Sequence, residues 1–302
     1  MCDICFIFLM FGTLLLNYFI LISMTEAQIL VCKTCLNRKK GDFDPQAICN
    51  LRGHHLEPDA TCTYYAKDAS VVTAVADQKK MLRPNADRAK YAMVMLFVIL
   101  FLDVVSGYSS YLQLGLLNDL NEGIFIAEDV LTANDLREQI IGIVYLIAMI
   151  VSAVFFIQWF RRAYYNLQVR TGTCEHSDGW AAGSWFVPII SLFRPLHIMK
   201  ELDAKTSRLI GSATGTVVPT NGIVIGFWWA LWIITNYIGN YVLKMAFKED
   251  TIENYISATT AEMVNSFLGV PLALLAYIVV KNYAQKEANL VQLEANRPKE
   301  EV

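Results

Sequence analysis

QIIGIVYLIAMIVSAVFFIQWF, residues 139 to 160, runs for 22 positions without a charged side chain. Coiled at 1.5 Å per residue, such a run is about 33 Å long and crosses a hydrocarbon core of about 30 Å. It predicts a transmembrane helix. Three further apolar runs, residues 91 to 116, 222 to 247 and 263 to 280, are long enough to do the same. Hydrophobic residues make up 55% of the 302 positions and charged ones 18%, against roughly a quarter charged in a soluble domain. The fold class expected is an all-α membrane protein with about four transmembrane helices.

The formal net charge of -3 hides an alternation between connections. Before the first run stand Lys79, Lys80, Arg83, Arg88 and Lys90. The connection at 117 to 138 instead carries Asp119, Glu122, Glu128, Asp129, Asp135 and Glu138 against Arg137 alone. The next is basic again, with Arg161, Arg162, Arg170, Arg194, Lys200, Lys205 and Arg208. The last is rich in acid, with Glu249, Asp250, Glu253 and Glu262, and Lys281 and Lys286 follow the fourth run. Because basic loops are retained in the cytoplasm, all five segments predict one topology. The N-terminal region and the C-terminus lie inside, and two acidic loops lie outside.

Residues 4 to 22 form another apolar run, within an N-terminal segment of residues 1 to 24. It lacks the basic flank and small-residue cleavage site of a secretory signal. Two readings stay open, a fifth crossing or a chain whose translation begins at Met24.

Residues 25 to 66 contain Cys32, Cys35, Cys49 and Cys62, a Cys-x-x-Cys pair followed by gaps of 13 and 12 residues. Four thiolates suit tetrahedral zinc, and a segment in a reducing compartment has little use for disulfides. The expectation is a structural zinc site in a small Cys-rich module. His54 or His55 is an alternative ligand, and free buried thiols or a redox pair are the competing readings. Such a closed site would organise a module too small for a sizeable core. A polar linker, residues 67 to 90, leads to the membrane part, and residues 286 to 302 read as a polar tail.

Asp103 sits in the middle of the first apolar run. A carboxylate there costs a few kcal/mol on insertion scales and marks a functional candidate. The other reading is a carboxyl that is protonated or hydrogen-bonded to a neighbouring helix, for which Thr235, Asn236 and Asn240 of the third run lie at comparable depth. Gly107 with Ser110, and Ala148 with Ser152, place small residues on one helix face, where they permit close helix packing. Trp228, Trp229 and Trp232 are expected at the headgroup boundary. Pro271 predicts a kink or a gating hinge in the fourth run.

Between the second and third runs, residues 180 to 202 are apolar but contain Pro188, Arg194 and Pro195. An interfacial or re-entrant segment is expected, with Trp180 and Trp185 at the headgroups and Pro195 opening a short amphipathic helix. Leu196, Met199 and Leu202 would face the membrane. Arg161, Arg162, Asn166, Arg194 and His197 would converge beside it, either as a site or as anchors to anionic lipid headgroups.

Trp159, Arg162, Asn166, Gly179, Trp180, Trp185, Phe186, Pro188 and Pro195 stand in an order that resembles a bacterial membrane family catalogued as domain of unknown function 4328, over roughly residues 90 to 285. The resemblance implies a four-helix domain of the bacterial cytoplasmic membrane and transfers no activity. The segment from Cys32 to Cys62, with Cys-x-x-Cys-x-Asn-Arg and then Ile-Cys-x-Leu, is similar to a zinc-ribbon-like module that precedes membrane domains in some bacterial proteins.

Three functions follow as expectations. The first is a non-enzymatic membrane module whose Cys-rich head recruits a protein partner. The second is a transporter or channel using Asp103 and the broken segment 180 to 195, and the third an enzyme acting on lipid. The last lacks a Gly-x-Ser-x-Gly elbow, a His-Glu-x-x-His motif or a Walker loop. No nucleic-acid partner is expected. If the cysteines bind zinc, purified protein carrying Cys32→Ser and Cys35→Ser should lose the metal by elemental analysis. Full zinc occupancy in that variant would exclude this ligand set.

Overall fold

The computed structural model describes residues 35–37, 66, 81–245 and 247–296. Residues 1–24, Cys32, Cys49, Cys62, both histidines at 54 and 55, and residues 67–80 and 297–302 lie outside the described residues. The chain divides into two units, Met1–Met81 and Leu82–Val302. In the first, Cys35 is buried, and the Leu36 amide donates to the Ala66 carbonyl at 2.8 Å.

The second unit is helical throughout its described elements. In chain order these are α1 (Ala86–Asn121), α2 (Glu128–Thr171), α3 (Asp178–Gly183), a 3-10 turn (Ile190–Leu192), α4 (Arg194–Thr214), α5 (Gly222–Met245) and α6 (Ile252–Asn296). Four of them, α1, α2, α5 and α6, are long and apolar enough to cross a membrane. The protein is thus a multi-pass, all-α membrane protein. Its ends are described below as the basic end, where α1 begins and α6 finishes, and the acidic end, where α1 joins α2 and α5 joins α6.

The helices outrun their apolar segments. At 44 and 45 residues, α2 and α6 are about twice the length a bilayer needs. The acidic connection shrinks from 117 to 138 to the few residues between Asn121 and Glu128, and the expected tail is helix as far as Asn296. Hydropathy registers where a helix leaves the apolar solvent, not where its hydrogen-bond ladder ends. The α2 ladder stops at Gly172, and that of α4 at Gly215, both in the left-handed region that glycine tolerates (φ 63° and 69°). Pro271 lies inside α6, which continues through it.

One stripe of α6 organises the membrane part. Ser266, Gly269, Ala273, Ala276, Val280, Tyr283, Glu287 and Leu290 recur at alternating spacings of four and three, and all are buried. Helix α1 packs along this stripe, α5 packs on α6 as well, and α4 meets its basic end. In contrast, α2 rests mainly on α1. Only 6% of its most apolar stretch is buried by the rest of the chain.

Toward the basic end the helices enclose an aromatic cluster. Trp159 of α2 is fully buried and meets the Tyr283 ring edge-on at 5.9 Å. Trp185, on the turn after α3, contacts Phe156 and Phe160 of α2 and Trp229 and Trp232 of α5, all edge-on at 5.6 to 6.0 Å between centroids. Edge-to-face contacts pair the positive rim of one ring with the negative face of another. The expected tryptophan belt is therefore corrected. Trp228 and Trp229 are each 3% exposed, and the Trp229 indole donates to the Leu192 carbonyl at 2.9 Å. Indoles turned inward with a protein acceptor have no reason to seek the headgroups.

The expectation for residues 180 to 202 is also corrected in part. The stretch is not one interfacial element but α3, two turns and the first half of α4, a helix of 21 residues with Pro195 in its first turn. Met199 and Leu202 do not face the membrane. They are buried with Ile198 and Ile210 against the core, and Leu196 packs partly against it. The amphipathic stripe was read correctly and its partner was not, because a helix lying over other helices presents the same pattern as one lying on lipid.

The exposed part of the segment is the turn between. Phe186, Ile189 and Phe193 are 75%, 74% and 57% exposed, and Ile189 adopts φ 63°, ψ -54°. That conformation is the tight, rare γ-turn, unfavourable for a β-branched residue. Trp185→Ala should lower stability by about 3–5 kcal/mol, the usual cost of emptying a large aromatic site. Phe186→Ala should leave it within about 0.5 kcal/mol. Thermal unfolding in detergent checks both, and equal effects would contradict the inward placement of Trp185.

Candidate functional site

Three buried carboxylates tie the basic end together. Glu287 of α6 accepts from Asn85 Nδ2 at 3.0 Å and from Asn166 Nδ2 at 2.8 Å, with Arg170 at 3.8 Å. Asn166 also exchanges two hydrogen bonds with the Arg83 backbone, at 3.1 and 2.8 Å. One asparagine thus joins α2, α6 and the strand of chain entering α1. Asn85, in the position of an N-cap residue, makes no cap bond: its Nδ2 donates to Glu287, and its buried Oδ1, the atom a cap would use, has no hydrogen-bond partner.

Asp203 of α4 accepts from Lys286 at 2.6 Å, and from the Asn221 amide at 2.6 Å where α5 begins. Lys286 completes its shell on Ser207 and the Pro219 carbonyl. Glu201, also on α4, accepts from Tyr164 at 2.6 Å, Lys205 at 2.8 Å and the Glu175 amide at 2.9 Å. Burial alone would raise the Glu201 pKa. The hydrogen bonds from Lys205, Tyr164 and the Glu175 amide outweigh it and hold the carboxyl below its ordinary range. Burial pushes the neighbouring Cys174 thiol up.

The cations cluster on another part of this end. Arg161 pairs with Asp178 at 3.3 Å, and Arg194 lies 4.2 Å from the Trp180 ring centre. Both partners belong to α3, so Arg161 and Arg194 each hold on to the same short helix. Arg88 donates to the Gln158 carbonyl, and Arg83 covers the Tyr165 ring at 4.6 Å. Burial lowers the Arg162 pKa, and the repulsion of Arg88, Arg83 and Arg161 lowers it further. Four guanidiniums within mutual reach attract an anion. Pro188 is exposed at the tip of the turn, and His197 is exposed on α4.

The expected convergence is therefore partial. Arg161 and Arg162 lie in one group with Arg83 and Arg88, and Arg194 meets Trp180 of the short helix that Arg161 also contacts. Asn166 is buried in the structural network, Trp185 is in the aromatic cluster, and Asn236 is exposed with its amide on its own helix, at the Trp232 carbonyl. Asp103 has no partner on the third span. Tyr145 of α2 donates to its Oδ1 at 2.8 Å, and the carboxylate lies against Gly269 of α6. Of the four cysteines only Cys35 falls within the described residues.

Sequence reasoning missed Glu287, Asp203, Lys286, Glu201 and Tyr145. Glu287 was findable, since it continues the four-and-three stripe of α6. The others give no sign in one dimension that they face inward.

A family model described as a domain of unknown function, DUF4328, matches residues 122–285. It spans α2 through most of α6 and begins just after α1. No curated protein matches the chain, and no solved structure does.

Because the Glu201 pKa is depressed on folding, its contribution is present above the unfolded value, about 4.3, and is lost as pH falls through the lower folded value. Glu201→Gln should cost about 1.5–3 kcal/mol near neutral pH, the worth of hydrogen bonds to a charged group. The gap in unfolding temperature from wild type should close on acidification. A gap that stays constant with pH would show that Glu201 is not charged in the fold.

Proposed function

The chain belongs to the DUF4328 family, and we propose that it works as a non-enzymatic membrane module whose basic end binds anionic lipid headgroups. The observation that carries this reading is the cluster of Arg83, Arg88, Arg161 and Arg162 beside an apolar turn, with Phe186, Ile189 and Phe193 exposed next to Arg194. Exposed apolar side chains flanked by cations are the chemistry of an interface between acyl chains and phosphates. The arginine forks suit phosphate oxygens in particular.

The family's recurrent residues support a structural module as well. Trp159 is buried in the core, Trp185 is partly buried against it, and Asn166 is held by Glu287 and the Arg83 backbone, so these three are engaged in holding helices together. In this reading the membrane is the bacterial cytoplasmic membrane and the basic end is cytoplasmic, because basic flanks are retained on that side. The Cys-rich segment would then be a cytoplasmic head held by zinc on Cys32, Cys35, Cys49 and Cys62, and available to a protein partner.

Retention of phospholipid through detergent purification, read by native mass spectrometry, tests the lipid reading. Wild-type protein should keep anionic phosphatidylglycerol in preference to phosphatidylcholine, and the Arg88→Gln, Arg162→Gln double variant should lose that preference while remaining monodisperse. Equal retention of both lipids by the wild type would overturn it.

A further inference from the structure

Midway along the bundle, in contrast to its basic end, a buried carboxylate is not fully satisfied. Asp103 is 2% exposed. Its Oδ1 accepts from Tyr145, but its Oδ2 has no hydrogen-bond partner. Ser110, two turns further along the same helix and 1% exposed, also leaves its hydroxyl unpartnered. An unmet buried polar group costs about 1–3 kcal/mol, and a charged one more. A carboxyl can relieve that by taking up a proton.

The surroundings select a proton over a larger ion. A Cβ built on Gly269 would lie 2.6 Å from the carboxyl carbon and from both oxygens of Asp103. The carboxylate is pressed flat on the α6 backbone, and no ring of oxygens surrounds it. The titratable groups facing it are Tyr145 from α2 and, one step outward, Glu262 from α6.

A series of carboxyls leads away from it toward the acidic end. Glu262 is seven residues from Gly269 and Glu138 seven from Tyr145, so each lies two helical turns outward on the same face. Glu262 interacts electrostatically with both Tyr145 and Glu138. Glu138 accepts from Ser109 at 2.5 Å and pairs with Arg137 at 3.1 Å, with its side chain 21% exposed. Arg137 and Asn134 line a cleft of about 510 Å³ between α1 and α2. In the opposite direction the α1–α6 seam is apolar, with Ala89 and Ala92 on α1 and Ala276 and Val280 on α6.

We propose that Asp103 is a proton-binding site in the middle of the membrane part. A proton from the aqueous phase forms an O–H bond on the unpartnered Oδ2, and the carboxylate becomes a neutral carboxyl, so one proton and one positive charge are taken up. Tyr145 keeps its hydrogen bond to Oδ1 throughout. This site goes beyond lipid binding at the opposite end and is independent of it.

Infrared spectroscopy of the protein in lipid nanodiscs tests the proposal. Acidification should produce a protonated aspartic carboxyl band, identified by its shift on ¹³C-aspartate labelling and by its loss in Asp103→Asn. Tyr145→Phe, which keeps the ring, should move the band to higher frequency, because the carbonyl loses its donor. This second variant keeps the assignment testable if Asp103→Asn does not fold. The proposal is overturned if no aspartic band responds to either substitution at Asp103 or Tyr145, or if sodium at constant pH abolishes the band.

Discussion

A helix that must serve three neighbours needs a face on which they can approach closely, and α6 supplies it. At the acidic end and the bilayer middle its buried stripe is Ser266, Gly269, Ala273 and Ala276, and at the basic end it becomes Val280, Tyr283, Glu287 and Leu290. In lipid the hydrophobic effect offers helices little reason to associate, so close packing of small residues has to supply the attraction. Where α6 reaches water, hydrophobic burial and charged hydrogen bonds can take over. The change in residue size along the stripe follows this change of solvent. Gly107 of α1, whose Cβ position would lie 3.4 Å from Ser266, belongs to the same close approach.

The two ends handle charge in different ways. At the basic end Glu201, Asp203 and Glu287 each accept from two or more donors, and all but the Lys205 bond to Glu201 join separate parts of the chain. Breaking such a network leaves a buried charge uncompensated, which makes these contacts costly to lose. At mid-span Asp103 has a single donor and one bare oxygen, in the part of the bundle where water is scarcest. The contrast within one fold separates groups that hold the structure from a group that can change its state.

Residues of the DUF4328 pattern divide along the same lines. Trp159, Trp185 and Asn166 serve packing, and the arginines near them serve the surface. Their order along the chain was legible, but their division of labour was not. A tryptophan near the end of a span reads equally well as a headgroup anchor or as a core residue. Only the arrival of Trp185 between α2 and α5 decides between them.

Sequence by itself determined the solvent. Runs of 18 or more apolar residues have one stable environment, and their number, their spacing and the alternation of charge between them are one-dimensional properties that survive any choice of packing. It also determined that residues 194 onward form an amphipathic helix, and that a carboxyl lies at mid-span. Tertiary structure alone decided what each face meets. It turned the α4 stripe onto protein instead of lipid, gave Asp103 a tyrosine from α2 in place of an asparagine from α5, and left the most apolar stretch of α2 largely uncovered by protein. The physical reason is that hydropathy is a property of one residue and its solvent, whereas satisfaction of a polar group is a property of two residues that the chain alone does not bring together.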